Sequence, residues 1–360
     1  MEQPRILTLS NITKRFASQE VLTAFSLAIE DGEFFTILGP SGCGKTTVLR
    51  LIAGFEQPDE GTLLLNGVDI TRMPAEQRPV NTVFQSYALF PHMSVFDNVA
   101  FGLKMAGVGR QETADRVNEA LAMVRLSDYA MRKPHQLSGG QKQRVAMARA
   151  IVIEPDVLLM DEPLSALDEE RKQEIMPWLE SLHGELEIPV LYVSHSRDEV
   201  ARLADHLVLL ENGRVRADGP VGAMLTRLDL PLAHGDDAEA LVEATVAGHD
   251  ETYGLTWLDF RGGRFSVIHK ELAPGARLRL RVLARDVSLT LEAQHGTSIL
   301  NIFPATVDAL IKEGEARVVV RLLAGGVPLL ARVTRKSVDT LQLQPGKLVY
   351  AQAKSVAVLS

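Results

Sequence analysis

The segment 39–47 restricts the fold of this chain more than any other part of the sequence. It reads GPSGCGKTT and matches every fixed position of the pattern G-x-x-x-x-G-K-[ST]. The apolar run 34–38 before it predicts a buried strand, and residues 45–53 after it predict a helix that ends at Gly54. Inward-turned backbone N–H groups and a helix N-terminus form a site suited to phosphate. An ordinary glycine-rich turn is the simpler alternative.

The loop pattern also predicts what its side chains do. Lys45 is expected to reach the β- and γ-phosphates, and Thr46 to place its hydroxyl on Mg²⁺. Cys43 is interpreted as a small residue that fills the loop, with a catalytic thiol as the alternative. The predicted nucleotide-binding residues of the loop are Gly39, Pro40, Ser41, Gly42, Cys43, Gly44, Lys45, Thr46 and Thr47.

Length and charge limit the remaining possibilities. A chain of 360 residues is sufficient for two domains. Its formal net charge of −8, without a block of like charges, argues against binding nucleic acid by phosphate neutralisation. The N-terminus has no apolar signal core, and no apolar run approaches the ~18 residues that span a bilayer. We therefore expect a cytosolic chain, whose single cysteine excludes an internal disulfide.

Two further apolar strands end in polar residues. Residues 157–160 precede Asp161 and Glu162, and residues 190–194 precede His195. Because ligands bind at the carboxyl ends of parallel strands, Asp161 is placed to hold Mg²⁺ and Glu162 to orient a water. Solvated acids and a structural histidine are the alternatives.

Three other features before the C-terminal part are candidates for ligand contact: Gln85, Phe16 and a pair of glycines. The strand predicted over 80–85 ends in the amide of Gln85, and Phe16 is interpreted as either a core anchor or a ring that stacks on a base. Two glycines precede a helix predicted from Lys142, which makes another anion-friendly helix start. A plain glycine-rich helix start is the alternative there.

The C-terminal part changes character and repeats itself. Residues 233–242 are interpreted as a linker, and from there the chain contains only predicted strands and turns. The triplet 244–246 (ATV) returns at 305–307, and the Pro-Gly turn at 274–275 returns at 345–346. Duplicated short strands favour two tandem small β-barrels, because closure removes exposed edges.

Taken in order, these motifs resemble the ATP-binding subunits of ABC transporters over residues 5–230. The resemblance implies an α/β P-loop NTPase of the ABC type over residues 1–232, with antiparallel β and helical subdomains, the latter at about 88–155. The linker 233–242 and an all-β Mop/TOBE-like tandem-barrel domain over 243–360 would follow. ATP and Mg²⁺ are the implied cofactors.

The resemblance also implies roles for individual residues. Phe16 would stack on adenine, and Gln85 would contact Mg²⁺ or the attacking water. Glu162 would be the catalytic carboxylate and His195 the γ-phosphate switch. Magnesium would be held by Thr46, Gln85 and Asp161. A signature segment would contact ATP bound to the other protomer; it comprises Leu137, Ser138, Gly139, Gly140 and Gln141, together with Asp168.

The family resemblance implies partners as well. Two copies would clamp two nucleotides head to tail and drive transmembrane permease subunits that a solute-binding protein feeds. The chain would then lie peripherally on the cytoplasmic face of the inner membrane and bind no nucleic acid.

The two halves of the chain resemble different importers. Residues 82–93 resemble polyamine- and ferric-type importer ATPases, whereas the chain from Asp161 onward resembles the molybdate importer ATPase. The tail is similar to molybdate-binding Mop-type domains at 297–301 (TSILN) and 350–356 (YAQAKSV). Because the accessory domain is specialised while the ATPase domain is shared, molybdate is the expected solute.

A tetrahedral oxyanion needs hydroxyl, amide or ammonium donors. The predicted oxyanion residues of the tail are Thr297, Ser298, Lys354 and Ser355. Leu300 stands where the family often has a basic residue, and a dimerising scaffold without ligand is the alternative for the tail. A molybdate sensor or store with incidental ATPase activity is the alternative for the whole chain.

Overall fold

The computed structural model describes residues 5–185, 188–269 and 271–359. The chain divides into two compact units, with the division after Asp218. This division falls 14 residues before the predicted end of the ATP-binding domain at 232. Among the described residues, no helix has both the length and the apolar character needed to cross a membrane.

The first unit combines a small antiparallel sheet, a larger sheet and helices. Its strands are β1 (Arg5–Phe16), β2 (Gln19–Glu30), β3 (Phe34–Leu38), β4 (Glu60–Leu65), β5 (Val68–Asp69), β6 (Val80–Val83), β7 (Val157–Asp161), β8 (Val190–Ser194), β9 (His206–Glu211) and β10 (Arg214–Pro220). Its α-helices are α1 (Lys45–Ala53), α2 (Val95–Met105), α3 (Arg110–Met123), α4 (Gly139–Ile151), α5 (Glu169–Glu185) and α6 (Arg197–Leu203).

The larger sheet has the strand order β10-β9-β3-β8-β7-β6 and is parallel from β9 to β6. Its strands β3 and β8 are buried along their whole length, as parallel strands covered on both faces are. Alternate residues enter different cores. Phe34 and Tyr192 pack with the helices α2–α5, while Phe35 and Leu191 pack with α1 and the antiparallel sheet β2-β1-β4-β5. The sheet is therefore the middle layer that positions the turns at its carboxyl edge.

The second unit is mainly β. Its strands are β11 (Glu239–Asp250), β12 (Leu255–Phe260), β13 (Gly263–Ile268), β14 (Arg277–Leu283), β15 (Val287–Thr290), β16 (Asn301–Glu313), β17 (Arg317–Ala324), β18 (Val327–Thr334), β19 (Leu348–Ala353) and β20 (Ala357–Leu359). They form two five-stranded antiparallel sheets, β13-β12-β11-β14-β20 and β15-β19-β16-β17-β18. Two short helices accompany them, α7 (Val221–Leu225) and α8 (Arg335–Leu341).

The predicted sequence repeat is also a repeat of hydrogen bonds. The Val246 N–H donates to the Ala276 carbonyl and Gly275 N–H donates back to Val246; the same exchange occurs between Val307 and the turn at 346–347. The strands that follow each repeat are exchanged, since β15 pairs with β19 and β20 pairs with β14. Residues of both sheets form one hydrophobic core, in which the rings of Phe265 and Phe303 lie 4.6 Å apart. The two sheets thus share one core and exchange strands.

Two sequence predictions about this part are corrected by the structure. The predicted linker 233–242 ends inside β11, because Glu239 is fully buried and paired with Arg281 while Ala240 and Val242 enter the core. The tail predicted to contain only strands and turns includes α8. That helix begins after Thr334, whose hydroxyl accepts from the Ser337 N–H at 3.0 Å, a short cap that strand periodicity does not reveal.

Candidate functional site: the phosphate loop and the strand ends beside it

The loop between β3 and α1 forms one side of a cleft of about 220 Å³. Gly44 has φ +108° and precedes the first helical residue, a conformation that glycine adopts without strain. The N-terminus of α1 therefore opens into the cleft. The residues that line the cleft are Val21, Ser41, Gly42, Gly44, Lys45, Thr46, Thr47 and Glu162.

The loop is closed by its own lysine. The Lys45 ammonium group is buried and donates to the carbonyls of Gly39 at 2.8 Å and Pro40 at 3.1 Å. Cys43 is buried beneath the loop, and burial raises the pKa of its thiol although Lys45 lies close by. A protonated, buried thiol agrees with the loop-filling interpretation of Cys43 rather than with a catalytic thiol.

Thr46, in the first turn of α1, is hydrogen-bonded to Asp161 at the end of β7. The Thr46 hydroxyl donates to the Asp161 carboxylate at 3.2 Å, and Asp161 is the last residue of β7. Burial raises the pKa of Asp161, and the neighbouring Glu162 carboxylate raises it further, against the Thr46 hydrogen bond and Lys45. A hard cation would relieve this desolvated pair of carboxylates, and the hydroxyl and carboxylate oxygens are ligands that Mg²⁺ prefers. The residues present therefore fit magnesium.

Glu162 and His195 come together at the ends of two neighbouring strands. Glu162 has φ +44°, which is uncommon for a residue other than glycine, and its N–H donates to the Val193 carbonyl at 3.0 Å. Its carboxylate lies 3.3 Å from Nδ1 of His195, which is the residue after β8. Pairing of the two strands thus places the Glu162 carboxylate and the His195 imidazole next to each other.

Gln85 and Phe16 lie apart from this group. Strand β6 ends at Val83, two residues earlier than predicted, and Gln85 is exposed in the turn that follows. Phe16 is the last residue of β1; its ring is 42% exposed and has the Lys14 ammonium 5.0 Å from its centroid. Of the two interpretations of Phe16, this exposure favours the stacking ring over the core anchor. Neither residue is among the described residues that line the cleft.

The signature segment forms the N-terminus of α4. The helix begins at Gly139, three residues earlier than predicted, because Ser138 caps it: the Ser138 hydroxyl accepts from the Gln141 N–H, and the Gln141 side chain accepts from the Ser138 N–H. Leu137 is buried, whereas Ser138 is exposed. A Cβ added at Gly140 would lie 2.9 Å from Ile175 on α5, so the small residue permits close packing of the two helices.

Asp168 stands immediately before α5. Its carboxylate accepts from the Arg171 N–H at 3.0 Å and its carbonyl accepts from the Lys172 N–H at 3.0 Å. Asp168 thus acts as a cap for α5 within this chain and is exposed.

The second unit contains a separate cavity of about 520 Å³. Lys354 and Ser355 line it, together with the side chain of Asn301, whose Oδ1 accepts from the Ser266 N–H at 2.7 Å. Thr297 and Ser298 lie in the exposed loop between β15 and β16 and are not among the described residues that line the cavity. The structure therefore groups two of the four predicted oxyanion residues and adds Asn301.

Sequence reasoning missed a buried carboxylate beside His195. Glu199 is 5% exposed and accepts hydrogen bonds from the hydroxyls of Tyr192 at 2.8 Å and Ser194 at 2.6 Å. Acidic residues are common in the first turn of a helix, and Glu199 lies there in α6. No pattern in the sequence separates it from a solvated acid, because its partners become neighbours only after folding.

A glycine-rich phosphate loop, two acids and a histidine at the edge of a parallel sheet define the class of nucleotide-hydrolysing P-loop proteins. A family model described as ABC transporter matches residues 22–165, and one described as TOBE domain matches residues 297–359. The chain belongs to the ABC transporter ATP-binding proteins and is an ABC-type ATPase with a C-terminal TOBE domain. The predicted family and fold class are confirmed.

Among its curated relatives, the chain is 51% identical to the molybdenum import ATP-binding protein ModC of Pseudomonas aeruginosa over 343 residues, 93% of this chain and 94% of the relative. It is 64% identical to the spermidine/putrescine import ATP-binding protein PotA of Hahella chejuensis over 219 residues, 61% of this chain and 60% of that protein. A solved dimeric bacterial ABC transporter cassette is similar with a TM-score of 0.53 and 32% identity, over 60% of this chain and 99% of the cassette.

Proposed function

We propose that this chain is the ATP-hydrolysing subunit of an importer for an oxyanion, with molybdate as the solute. The observation that carries the proposal is the extent of the two similarities. The molybdenum import relative matches 93% of the chain, whereas the polyamine import relative matches 61%. The larger match necessarily includes most of the second unit, which is the part expected to differ between solutes.

The proposed chemistry is ATP hydrolysis in the cleft beside the phosphate loop. Backbone N–H groups of the loop and the α1 N-terminus bind the phosphates, and Lys45 exchanges its carbonyl partners for phosphate oxygens. Thr46 and Asp161, with Gln85, would hold Mg²⁺, which when bound neutralises phosphate charge. Glu162 orients the attacking water, while His195 donates to the γ-phosphate.

The proposed active form is a homodimer in which each signature segment completes the partner's site. The exposed Ser138 and the N–H groups of Gly139 and Gly140 at the start of α4 would form an anion-binding helix terminus. These residues are not among the described residues that line the chain's own cleft, which supports a role toward the other copy. In the same proposal, Asp168 acts with the signature segment toward the ATP of the other copy. The exposed ring of Phe16 stacks on the adenine. The homodimer would lie peripherally on the cytoplasmic face of the membrane. There it would drive permease subunits that receive the solute from a solute-binding protein.

We also propose that the cavity of the second unit binds the oxyanion. The Lys354 ammonium, the Ser355 hydroxyl and the Asn301 amide supply the donors that a tetrahedral anion needs. Thr297 and Ser298, as predicted donors in the exposed loop, would have to move toward the cavity to take part.

Calorimetry of the full chain with molybdate, tungstate, sulfate and spermidine tests the solute. Heat with molybdate and tungstate that the Lys354→Ala variant loses is the expected result; Lys336→Ala, an exposed lysine on α8, is the matched control. Heat with spermidine alone would instead support polyamine import, the second candidate that the 64% identity to the polyamine relative favours.

A further inference from the structure

The buried carboxylate of Glu199 lies next to the turn that carries His195. Its Oε2 atom accepts from two hydroxyl groups, those of Ser194 at 2.6 Å and Tyr192 at 2.8 Å, both fully or nearly fully buried. Its Oε1 atom lies 3.3 Å from the Lys172 ammonium of α5. Burying a carboxylate costs free energy unless it is paired and hydrogen-bonded. The two hydroxyl groups and the Lys172 ammonium supply those partners to Glu199.

The two neighbours of His195 in the chain are both tied to Glu199. The Ser194 hydroxyl donates to the carboxylate and accepts from the Ser196 N–H at 2.9 Å. The Ser196 hydroxyl in turn accepts from the Glu199 N–H at 3.4 Å as the cap of α6. The backbone on either side of His195 is therefore held, while the imidazole itself is 58% exposed and lies 3.3 Å from Glu162.

We propose that Glu199 is a positioning residue for His195, which it holds at the distance from Glu162 that hydrolysis needs. This inference rests on the proposed role of His195. Because Lys172 lies one helical turn after Asp168, the same carboxylate also connects the turn with the start of α5. A misplacement of about 1 Å in a catalytic group can slow a reaction about 100-fold.

The test compares Glu199→Ala with Glu180→Ala. Glu180 is the matched control, because its side chain is equally buried at 6% exposure and pairs with Arg202 at 3.3 Å between the same two helices. For Glu199→Ala we expect kcat for ATP to fall about 10- to 100-fold while ATP affinity changes less than about twofold. The control variant is expected to keep both values within about twofold. A loss of affinity and kcat together in both variants would indicate general destabilisation and overturn the inference.

A second variant covers the case in which Glu199→Ala does not fold. Ser194→Ala keeps the carboxylate and removes only the bridging hydroxyl, so it should lower kcat in the same way; a folded Ser194→Ala protein with wild-type kcat would overturn the inference. Combining Glu199→Ala with His195→Ala should add no further loss to that of His195→Ala.

The ¹⁵N signals of the His195 ring give a readout that does not depend on activity. They should shift in Glu199→Ala and stay in place in Glu180→Ala; unchanged signals in the folded Glu199 variant would contradict positioning. If His195→Ala alone hydrolyses ATP at the wild-type rate, the proposed function of His195 fails, and the ring signals still decide whether Glu199 positions it.

Discussion

Some residues of the phosphate loop matter because they let backbone segments come close together, and not because they carry a functional group. A Cβ added at Gly39 would lie 2.3 Å from the Leu210 carbonyl oxygen and 2.7 Å from the Cys43 sulfur. Backbone and a buried side chain occupy that space, and neither can move far in a close-packed interior. The loop therefore needs glycine at its first position because a side chain there would not fit, whether or not a ligand is bound.

Replacing that glycine should disturb the loop and the binding of nucleotide together. For Gly39→Ala we expect a loss of about 1–3 kcal/mol in unfolding free energy and an ATP affinity lowered about tenfold or more. Gly109→Ala is the control, because a Cβ there meets nothing within 4 Å. Urea unfolding and nucleotide titration measure both effects; a Gly39→Ala protein that matches the control in both would contradict this view of the loop.

His206 provides a pH dependence that is remote from the nucleotide cleft. Burial alone would lower the pKa of His206, but the Glu33 carboxylate at 3.1 Å and Asp218 at 3.7 Å raise it above its ordinary value. Since the folded-state pKa is the higher one, protonation stabilises the fold. That contribution is complete below the unfolded pKa of about 6.5 and disappears as pH rises through the folded value.

The variant His206→Gln should lack this contribution. The stability difference between wild type and variant is expected to favour wild type most at pH 5.5 and to shrink toward pH 8.5. Urea unfolding of both proteins at each pH measures it, and the difference cancels the titration of the groups that do not contact His206. A difference that grows with pH would contradict the assignment.

At the scale of elements, α4 connects the signature segment with the turn after β6. Arg149, near the C-terminal end of α4, donates to the carbonyls of Ala88 at 2.7 Å and Tyr87 at 3.0 Å. Both of these residues have positive φ, at 60° for Tyr87 and 45° for Ala88, so the turn that contains Gln85 is held in an uncommon conformation. One helix thus supports two parts of the proposed site.

Removing the guanidinium should release that turn. For Arg149→Ala we expect the unfolding free energy to fall by about 1–3 kcal/mol, because two carbonyl partners and the contact with the Phe90 ring are lost. Arg116→Ala, which removes the ion pairs of Arg116 on α3 with the exposed carboxylates of Glu112 and Glu154, is expected to cost less than about 1 kcal/mol. Thermal melts of the two variants measure the difference, and equal costs would argue against a special role for Arg149.

Sequence reasoning located the elements whose signal is local. The β3–α1 loop, the acids after β7 and the histidine after β8 follow from hydrophobic runs that end in polar residues, and the structure places them together. The start of β11 and the presence of helix α8 depended on the tertiary burial of Glu239 and on a single threonine cap, respectively. The roles of Glu199 and Arg149 depend on partners far away in sequence, which no local pattern contains.

At the scale of the whole molecule, the second unit is built as a duplicated motif with exchanged strands. Because β20 completes the first sheet and β15 the second, neither sheet is complete without a strand that follows the other repeat. The common core with Phe265 and Phe303 also joins them. The two sheets are therefore expected to fold as one cooperative unit.

A fragment of residues 219–360 tests this cooperativity. We expect a single unfolding transition, with the fluorescence of Trp257 on β12 and the far-ultraviolet circular dichroism of all strands changing at the same urea concentration. A shorter fragment that ends at Ser355 lacks β20 and should unfold at lower urea by both probes. Separate transitions for the two probes in the longer fragment would contradict a shared core.

In the proposed active form, ATP joins two copies of this chain through the phosphate loop of one and the signature segment of the other. The most direct test is the mass of the Glu162→Gln variant in sedimentation velocity with and without ATP and Mg²⁺. The amide should leave ATP binding intact and abolish hydrolysis, so ATP is predicted to shift the protein to a dimer, and Ser138→Arg in the same background should prevent the shift. If ATP binds and the mass stays the same with and without it, ATP does not join two copies of this chain in the proposed way.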